Sequence, residues 1–257
     1  MKTRAACAVL VAVLLSSAAN AHDTWMLPID GANGVEALAL TSGMAFPAAE
    51  TAIKPDRVET AAILLENGAT AQLKTFKAAN DHLRIVIDSP TKSALAYLSL
   101  FPKTLQLDAG NVSEYLAELG DADGSLRAHY ERDGQWRERY VKHAKALIGP
   151  PSDLWMKKLG ARLELVLQGS AHAIAPNALL RAQLLFNGQA LPNHRIAVGS
   201  SSASGHQFVQ TSADGIAEFR LPHAGNVLLS TIRIVHVVEA ERDWESDFAT
   251  LTLSVPN

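Results

Sequence analysis

The chain has 257 residues, of which 48% are apolar and 19% are charged, a balance typical of a globular protein with a substantial core. Its formal net charge of −3 argues against a nucleic-acid partner, because proteins that bind nucleic acid present clustered Lys and Arg. The only cysteine is Cys7. Since it lies in a segment that we predict to be removed, a disulfide framework is excluded and any metal site must use other donors.

Residues 1–21 have the pattern of a secretory signal peptide. The parts stand in the expected order: the basic Lys2 and Arg4, an apolar stretch from Ala5 to Leu15, and the small-residue cleavage site Ala19-Asn20-Ala21. That apolar stretch is too short to span a bilayer and no later one is long enough, so we expect no membrane insertion. The sequence therefore predicts a soluble protein that is exported to the periplasm.

Cleavage at this site would make His22 the first residue of the mature chain. An N-terminal histidine can bind one metal ion with two donors, its free α-amino group and its ring nitrogen. Imidazole suits copper, nickel and zinc, so we expect Ni, Cu or Zn as the bound ion. The other interpretation is that His22 is only the residue that follows the cleavage site.

Between residues 22 and 107 the sequence predicts short strands separated by turns. The predicted strands are 35–40, 58–65, 71–76, 83–87 and 94–100. Clusters of Gly, Asn, Asp, Ser and Pro lie between them, as at residues 31–34 and 66–68. Strands at this spacing are typical of an antiparallel sandwich.

The hydrophobic period changes in the segment 108–149. Asn111 and Glu114 have the spacing of a capping box, which predicts a helix over residues 112–119. A second helix is predicted over residues 135–148, because Trp136, Tyr140, Ala144 and Leu147 recur at helical spacing. The sequence Gly149-Pro150-Pro151 is a strong stop signal for it.

Residues 160–257 return to strand patterns. The predicted strands are 163–167, 179–186, 195–199, 207–211, 216–221, 226–236 and 248–255. Asn187-Gly188 between two of them is a strong hairpin signal. The fold class predicted is therefore mainly β, with two antiparallel β-sandwich domains. They are residues 22–150, with a short helical insertion at 111–148, and residues 160–257, whose pattern fits a transthyretin-like or carboxypeptidase-regulatory-like sandwich.

Several segments resemble a periplasmic family of domains of unknown function once labelled NikM-like. The matching segments are His22-Asp23-Thr24-Trp25-Met26-Leu27-Pro28, Ala45-Phe46-Pro47, Arg137-Glu138-Arg139-Tyr140 with Ala144-Lys145, Phe186-Asn187-Gly188-Gln189-Ala190-Leu191, Thr211-Ser212-Ala213-Asp214-Gly215 and Asp243-Trp244-Glu245-Ser246-Asp247-Phe248-Ala249-Thr250-Leu251-Thr252. The resemblance covers nearly the whole mature chain, and the two ends are its more specific parts.

The resemblance implies a periplasmic protein of two β-rich domains that is associated with nickel or cobalt uptake and so with a membrane uptake system as partner. It implies no reaction and no full ligand set. Only His22 is carried over as a metal ligand.

A useful transition-metal site needs three or four donors. None of the eight other histidines forms an H-x-H or H-x-x-x-H pair, so local spacing points to no partner for His22. His236 is our first candidate, because it ends the apolar run 227–235, where a polar side chain needs a reason. His143 is second, since it follows Trp136 by seven residues on the predicted helix. The alternative for each is a hydrogen-bonded structural histidine.

Four other side chains offer weaker candidates for ligands. Asp243 and Glu245 flank Trp244 and could supply an oxygen ligand, although such a pair is more typical of a surface turn. Met26 and Met44 would suit a softer ion such as Cu(I), although isolated methionines are more typical of core packing.

Three functions remain open at this point. The preferred hypothesis is a non-enzymatic metal-binding protein that delivers its ion to an uptake system. The second is a metal-free binding or scaffold module. The third is a copper oxidase with a histidine brace, which requires a second imidazole facing His22.

Overall fold

The structure is a computed structural model that describes residues 22–119, 124–170, 174–221, 224–237, 239 and 242–256. The predicted signal peptide lies outside these ranges. Within the described residues strands predominate over helices, which confirms a mainly β fold with a sandwich-like arrangement of sheets.

Most elements are strands, with two helices in the middle of the chain. In the first half they are β1 (Asp23–Gly31), β2 (Gly34–Gly43), β3 (Thr51–Ala52), β4 (Val58–Leu65), β5 (Thr70–Gln72), β6 (Phe76–Ala78), β7 (Leu83–Thr91), β8 (Ala94–Leu100), β9 (Lys103–Leu107), α1 (Ala109–Leu119) and α2 (Ser125–Asp133). In the second half they are β10 (Trp136–Ile148), β11 (Leu163–Gln168), β12 (Leu179–Phe186), β13 (Gln189–Ala190), β14 (Arg195–Ser200), β15 (Ala203–Gln210), β16 (Ile216–Arg220), β17 (Gly225–His236) and β18 (Trp244–Val255). Short 3-10 turns occupy Pro55–Arg57 and Asp153–Met156.

One large sheet runs through the molecule in the order β15-β14-β17-β18-β10-β8-β4-β5, with β9 beside β10. Strand β10 pairs with β18 in parallel, and every other strand pair within the described residues is antiparallel. The sheet thus contains strands from both predicted domains. The division into 22–150 and 160–257 stays a prediction.

Two smaller sheets cover opposite faces of the large one. Alternate residues of β10 show this, since Ala144, Ala146 and Ile148 pack in one apolar cluster and Leu147 packs in another. Successive side chains of a strand point to opposite faces, so the two clusters lie on the two sides of the sheet. The first contains residues of β1, β2 and β7, and the second contains residues of β11, β12 and β16.

The predicted helix over residues 135–148 is wrong, because this segment is the strand β10. Its spacing fits a helix, yet it lies inside the large sheet, paired on both edges, and its last five residues are all buried. A strand buried on both faces carries apolar residues without alternation, so periodicity alone cannot distinguish it from a buried helix.

The helical region lies just before β10. Helix α1 confirms the predicted helix over 112–119, although its start is capped by Asp108, whose carboxylate accepts a hydrogen bond from the Asn111 N–H at 3.0 Å. Helix α2 was not predicted, and it ends where Gly134 adopts a left-handed conformation. The side chain of Glu138, on β10, is fully buried below α1 and accepts hydrogen bonds from Tyr115, Trp136 and Ser246.

Gly149 closes β10 at a point where no side chain fits. Its φ is +77°, and a Cβ atom built there would lie 1.7 Å from the carbonyl oxygen of Lys92.

We expect Gly149→Ala to lower the free energy of unfolding by about 3 kcal/mol or more, because it combines left-handed strain with a backbone clash. Gly68→Ala is the matched control, since Gly68 has a φ of +82° and nothing within 4 Å. It should cost only about 1 kcal/mol. Equal losses in denaturant unfolding would contradict the steric argument.

Candidate metal-binding site at His22

Side chains of the large sheet hold the backbone of β1 in place. The Thr250 hydroxyl donates to the carbonyl of Thr24 at 2.6 Å, and the Thr252 hydroxyl donates to the carbonyl of Met26 at 2.7 Å. At the same edge the Lys142 ammonium donates to the carbonyl of His22 at 2.5 Å. The other edge of β1 pairs with β2. His22 is therefore anchored through its backbone on the surface of the large sheet.

The loop after β2 folds back against the start of β1. A Cβ atom at Gly43 would lie 2.7 Å from the carbonyl oxygen of Ala48 and 2.9 Å from the ring of Trp25, so only glycine permits this approach. Trp25 is fully buried, and the ring of Phe46 packs edge-on against it at 5.4 Å. The loop brings Glu50 next to His22.

The Glu50 carboxylate contacts both segments. One oxygen accepts a hydrogen bond from the Met44 N–H at 3.0 Å, and the other lies 3.4 Å from Nε2 of His22. The His22 side chain is 25% exposed and that of Glu50 is 38% exposed, so an ion in solution can reach both. An imidazole beside a carboxylate is a donor pair that fits zinc, copper and nickel.

A charged pair lies beneath this surface. Burial raises the pKa of the Asp23 carboxyl, while a hydrogen bond from Ser230 and the charges of Lys142 and His206 oppose that rise. Burial also lowers the pKa of Lys142 to about 8, against the opposing attraction of Asp23. The ammonium that anchors His22 therefore releases its proton more readily than an exposed lysine does.

His143 lies on the other face of the large sheet from Lys142, because the two residues are consecutive on β10. Its Nδ1 is 2.8 Å from the Ser99 hydroxyl, and its Nε2 is 3.6 Å from the buried carboxylate of Asp247. The structure does not bring His143 to the His22 side of the sheet. Within the described residues, this Nε2 has no hydrogen-bond partner.

His236 is at the far end of β17 from the site. Its ring stacks on that of His129 at 4.5 Å and meets the edge of Trp244 at 5.1 Å. Ser230, on the same strand, forms a hydrogen bond with Asp23 beside the site. His236 lies six residues further along, which is about 20 Å on a strand. The structure therefore separates His236 from His22, and its stacking between aromatic rings explains a polar residue at the end of the apolar run.

The weaker candidates also have defined surroundings. Asp243 forms a two-pronged ion pair with Arg137, at 2.7 and 3.0 Å, and Glu245 pairs with Arg162 and Arg242. Met26 is buried in the core, at 1% exposure, whereas Met44 is 45% exposed in the loop beside Glu50.

Across the described ranges, no group of three or more His, Asp and Glu side chains is arranged to hold a metal ion. At His22, the described side chains therefore provide only the imidazole and the neighbouring Glu50 carboxylate, and a tighter site needs further donors. Sequence reasoning missed Glu50 and Lys142. Neither carries a local signal, since 28 residues separate Glu50 from His22 and Lys142 lay in a predicted helix.

Comparison with known families gives one match that spans most of the site. A family described as a domain of unknown function, DUF4198, matches residues 19–234. The chain belongs to the DUF4198 family. The matched range includes His22, Glu50 and Lys142 and ends before β18.

The other comparisons add no functional information on this DUF4198 protein. No curated protein matches the sequence. Among solved structures, it is similar to the crystal structure of a tetra-tandem repeat in the extending region of a large adhesion protein, at 12% identity and a TM-score of 0.20. That match covers 91% of this chain and 49% of the adhesion protein chain, so the DUF4198 chain spans about half of that structure. Within the described residues, no helix is long and apolar enough to cross a membrane.

The lowered pKa of Lys142 predicts a pH dependence of stability. The folded protein releases this proton near pH 8 and an unfolded chain near 10.5, so the unfolded state binds more protons in between. The free energy of unfolding should therefore rise with pH across this window, and Lys142→Met should reduce that rise. Part of the slope should remain in the variant, because burial also lowers the pKa of Lys145. Denaturant unfolding at about pH 7.5, 9 and 10.5 measures how the free energy of unfolding changes with pH.

The control for this measurement is Lys77→Met, which removes an exposed lysine of β6 and should retain the wild-type slope. An unchanged slope in Lys142→Met would show that the ammonium of Lys142 is not destabilised by burial.

Proposed function

We propose that this DUF4198 protein is a periplasmic, non-enzymatic carrier of a divalent transition metal, with the mature N-terminal His22 as its chelate. Cu(II), Ni(II) and Zn(II) are the candidate cargoes, and a membrane uptake system is the proposed recipient. The observation that carries the proposal is the partly exposed pair of His22 Nε2 and Glu50 Oε2, 3.4 Å apart.

The anchoring of β1 supports this role. Because Lys142 holds the carbonyl of His22, the residue does not have to be ordered when an ion binds. Cleavage after Ala21 would add an α-amino group on the same residue as the imidazole. Two donors on one residue act together, since binding of the first gives the second a high effective concentration. The α-amino group and Nδ1 close the chelate ring, and the Glu50 carboxylate, which lies beside Nε2, orients the imidazole from its other side.

The NikM-like resemblance adds a reason to favour uptake over storage. A link to nickel or cobalt uptake belongs to that resemblance, and the sequence has no histidine-rich or methionine-rich tract that would hold many ions. A single-ion carrier is the function that agrees with both.

The histidine-brace alternative is less favoured. A brace requires a second imidazole at the metal, and the described residues contain no set of three His, Asp or Glu ligands. His143 and His236 each contact other groups away from His22. The metal-free scaffold alternative is an outcome of the experiment below.

The test is calorimetric titration of Cu(II), Ni(II) and Zn(II) into protein that begins at His22. A parallel sample carries one alanine before His22. We expect one-to-one binding in the first sample and an affinity about 100-fold lower in the second, about 2.8 kcal/mol, because the extension removes the free amine from the chelate. Glu50→Gln in the first sample should weaken binding about 10-fold, because it removes the carboxylate that orients the ring at Nε2.

His82→Ala is the control variant for this titration. Its Nδ1 lies 2.8 Å from the Asp81 carboxylate, so it forms a surface pair of the same kind without an N-terminal amine. The variant should bind as the wild type does. Equal binding in the cleaved and extended samples, or no binding in either, would reject the carrier and favour the scaffold module.

A further inference from the structure

Met44 is an exposed thioether beside the proposed site. It is one of four large apolar side chains that are clearly exposed in the described part of the chain, with Phe101, Leu179 and Phe208. Phe208 is covered on one face by the guanidinium of Arg195 at 4.4 Å. Met44 follows β2, whose last residue, Gly43, pairs with Asp23. Continued by one residue, this register places Met44 opposite His22.

The Glu50 carboxylate fixes the distance between the two residues. One of its oxygens is 3.0 Å from the Met44 amide nitrogen, and the other is 3.4 Å from the His22 ring nitrogen. Since the two oxygens belong to one carboxylate, the Met44 backbone lies within about one side-chain length of the His22 ring. A methionine side chain is long and flexible enough to turn towards that ring.

The loop that carries Met44 is held from both sides. Phe46 packs on buried Trp25, and the Glu50 amide donates to the carbonyl of Ser42 at 3.2 Å. The backbone of Met44 is therefore fixed while its side chain stays exposed, which is the arrangement expected of a ligand rather than of core packing.

Resting on the proposed function, we propose that Met44 supplies a thioether ligand to the His22 site, so that copper is the cargo and the site holds Cu(I) as well as Cu(II). Thioethers select Cu(I), whereas imidazole and carboxylate also accept Cu(II). Nickel and zinc gain little from a thioether, so Met44 distinguishes copper from the other candidate ions.

The mature chain offers a clean spectroscopic test, because the only cysteine lies in the predicted signal peptide. Any copper–sulfur contact in the processed protein must come from methionine. Met26 is buried in the core and Met156 is partly buried against it, so Met44 is the exposed one of the three.

The experiment uses protein that begins at His22, with the variants Met44→Leu and Met156→Leu. Cu(I) affinity is measured without oxygen by competition with bicinchoninate, and Cu(II) and Ni(II) are titrated into the same samples. We expect Met44→Leu to lower Cu(I) affinity by about 10- to 100-fold and to leave Ni(II) affinity within about 2-fold. Met156→Leu should match the wild type. X-ray absorption of the Cu(I) form should show sulfur scattering in the wild type and none in Met44→Leu.

The outcomes separate the two proposals. A Cu(I) affinity that Met44→Leu leaves unchanged, or a wild type without Cu(I) binding, would overturn the role of Met44. The Cu(II) and Ni(II) isotherms report on the His22 chelate independently of Met44. Retained nickel binding with lost Cu(I) binding in Met44→Leu supports both proposals.

Discussion

The hydrogen bonds from Thr250, Thr252 and Lys142 to the carbonyls of β1 are the constraint on which the rest of the site depends. Strand β1 lies at the edge of its own sheet, and these side chains satisfy the carbonyls that β2 does not. An unpaired buried carbonyl would cost about 1–3 kcal/mol, so each bond favours this one placement of the strand. Because β1 is fixed, the position of His22 follows, and the loop ending at Glu50 can close over it.

The donors of these bonds stand on neighbouring strands that pair in parallel, β10 and β18. Ionisable side chains at the centre of the large sheet are paired or hydrogen-bonded. Lys145 pairs with Glu164 at 2.8 Å, and Glu138 accepts three hydrogen bonds. Burial raises the pKa of Glu138 even so. Removing one partner of such a buried pair costs about 3–5 kcal/mol. These pairs therefore favour a single register for β10.

The site combines a rigid backbone with accessible donors. Lys142 holds the carbonyl of His22, and its own pKa is lowered to about 8 by burial. In the proposed site, the exposed thioether of Met44 is the donor that would distinguish copper from other ions.

Local sequence patterns predict the β-rich class, most strands of the second half, helix α1 and the hairpin turn at Asn187 and Gly188, where both residues have positive φ. These features depend on local patterns of two to four residues. Strand β1 was not predicted, because Pro28 interrupts it and suits only a strand edge. The sequence of strand β10 predicts a helix, because burial on both faces removes the alternation of apolar and polar residues. Only the tertiary structure decided which side chains meet His22. Glu50 reaches it through a loop that folds over Trp25, and Lys142 reaches it across 120 residues. His143 and His236 point elsewhere, because their strands place them on the other face and at the far end of the large sheet.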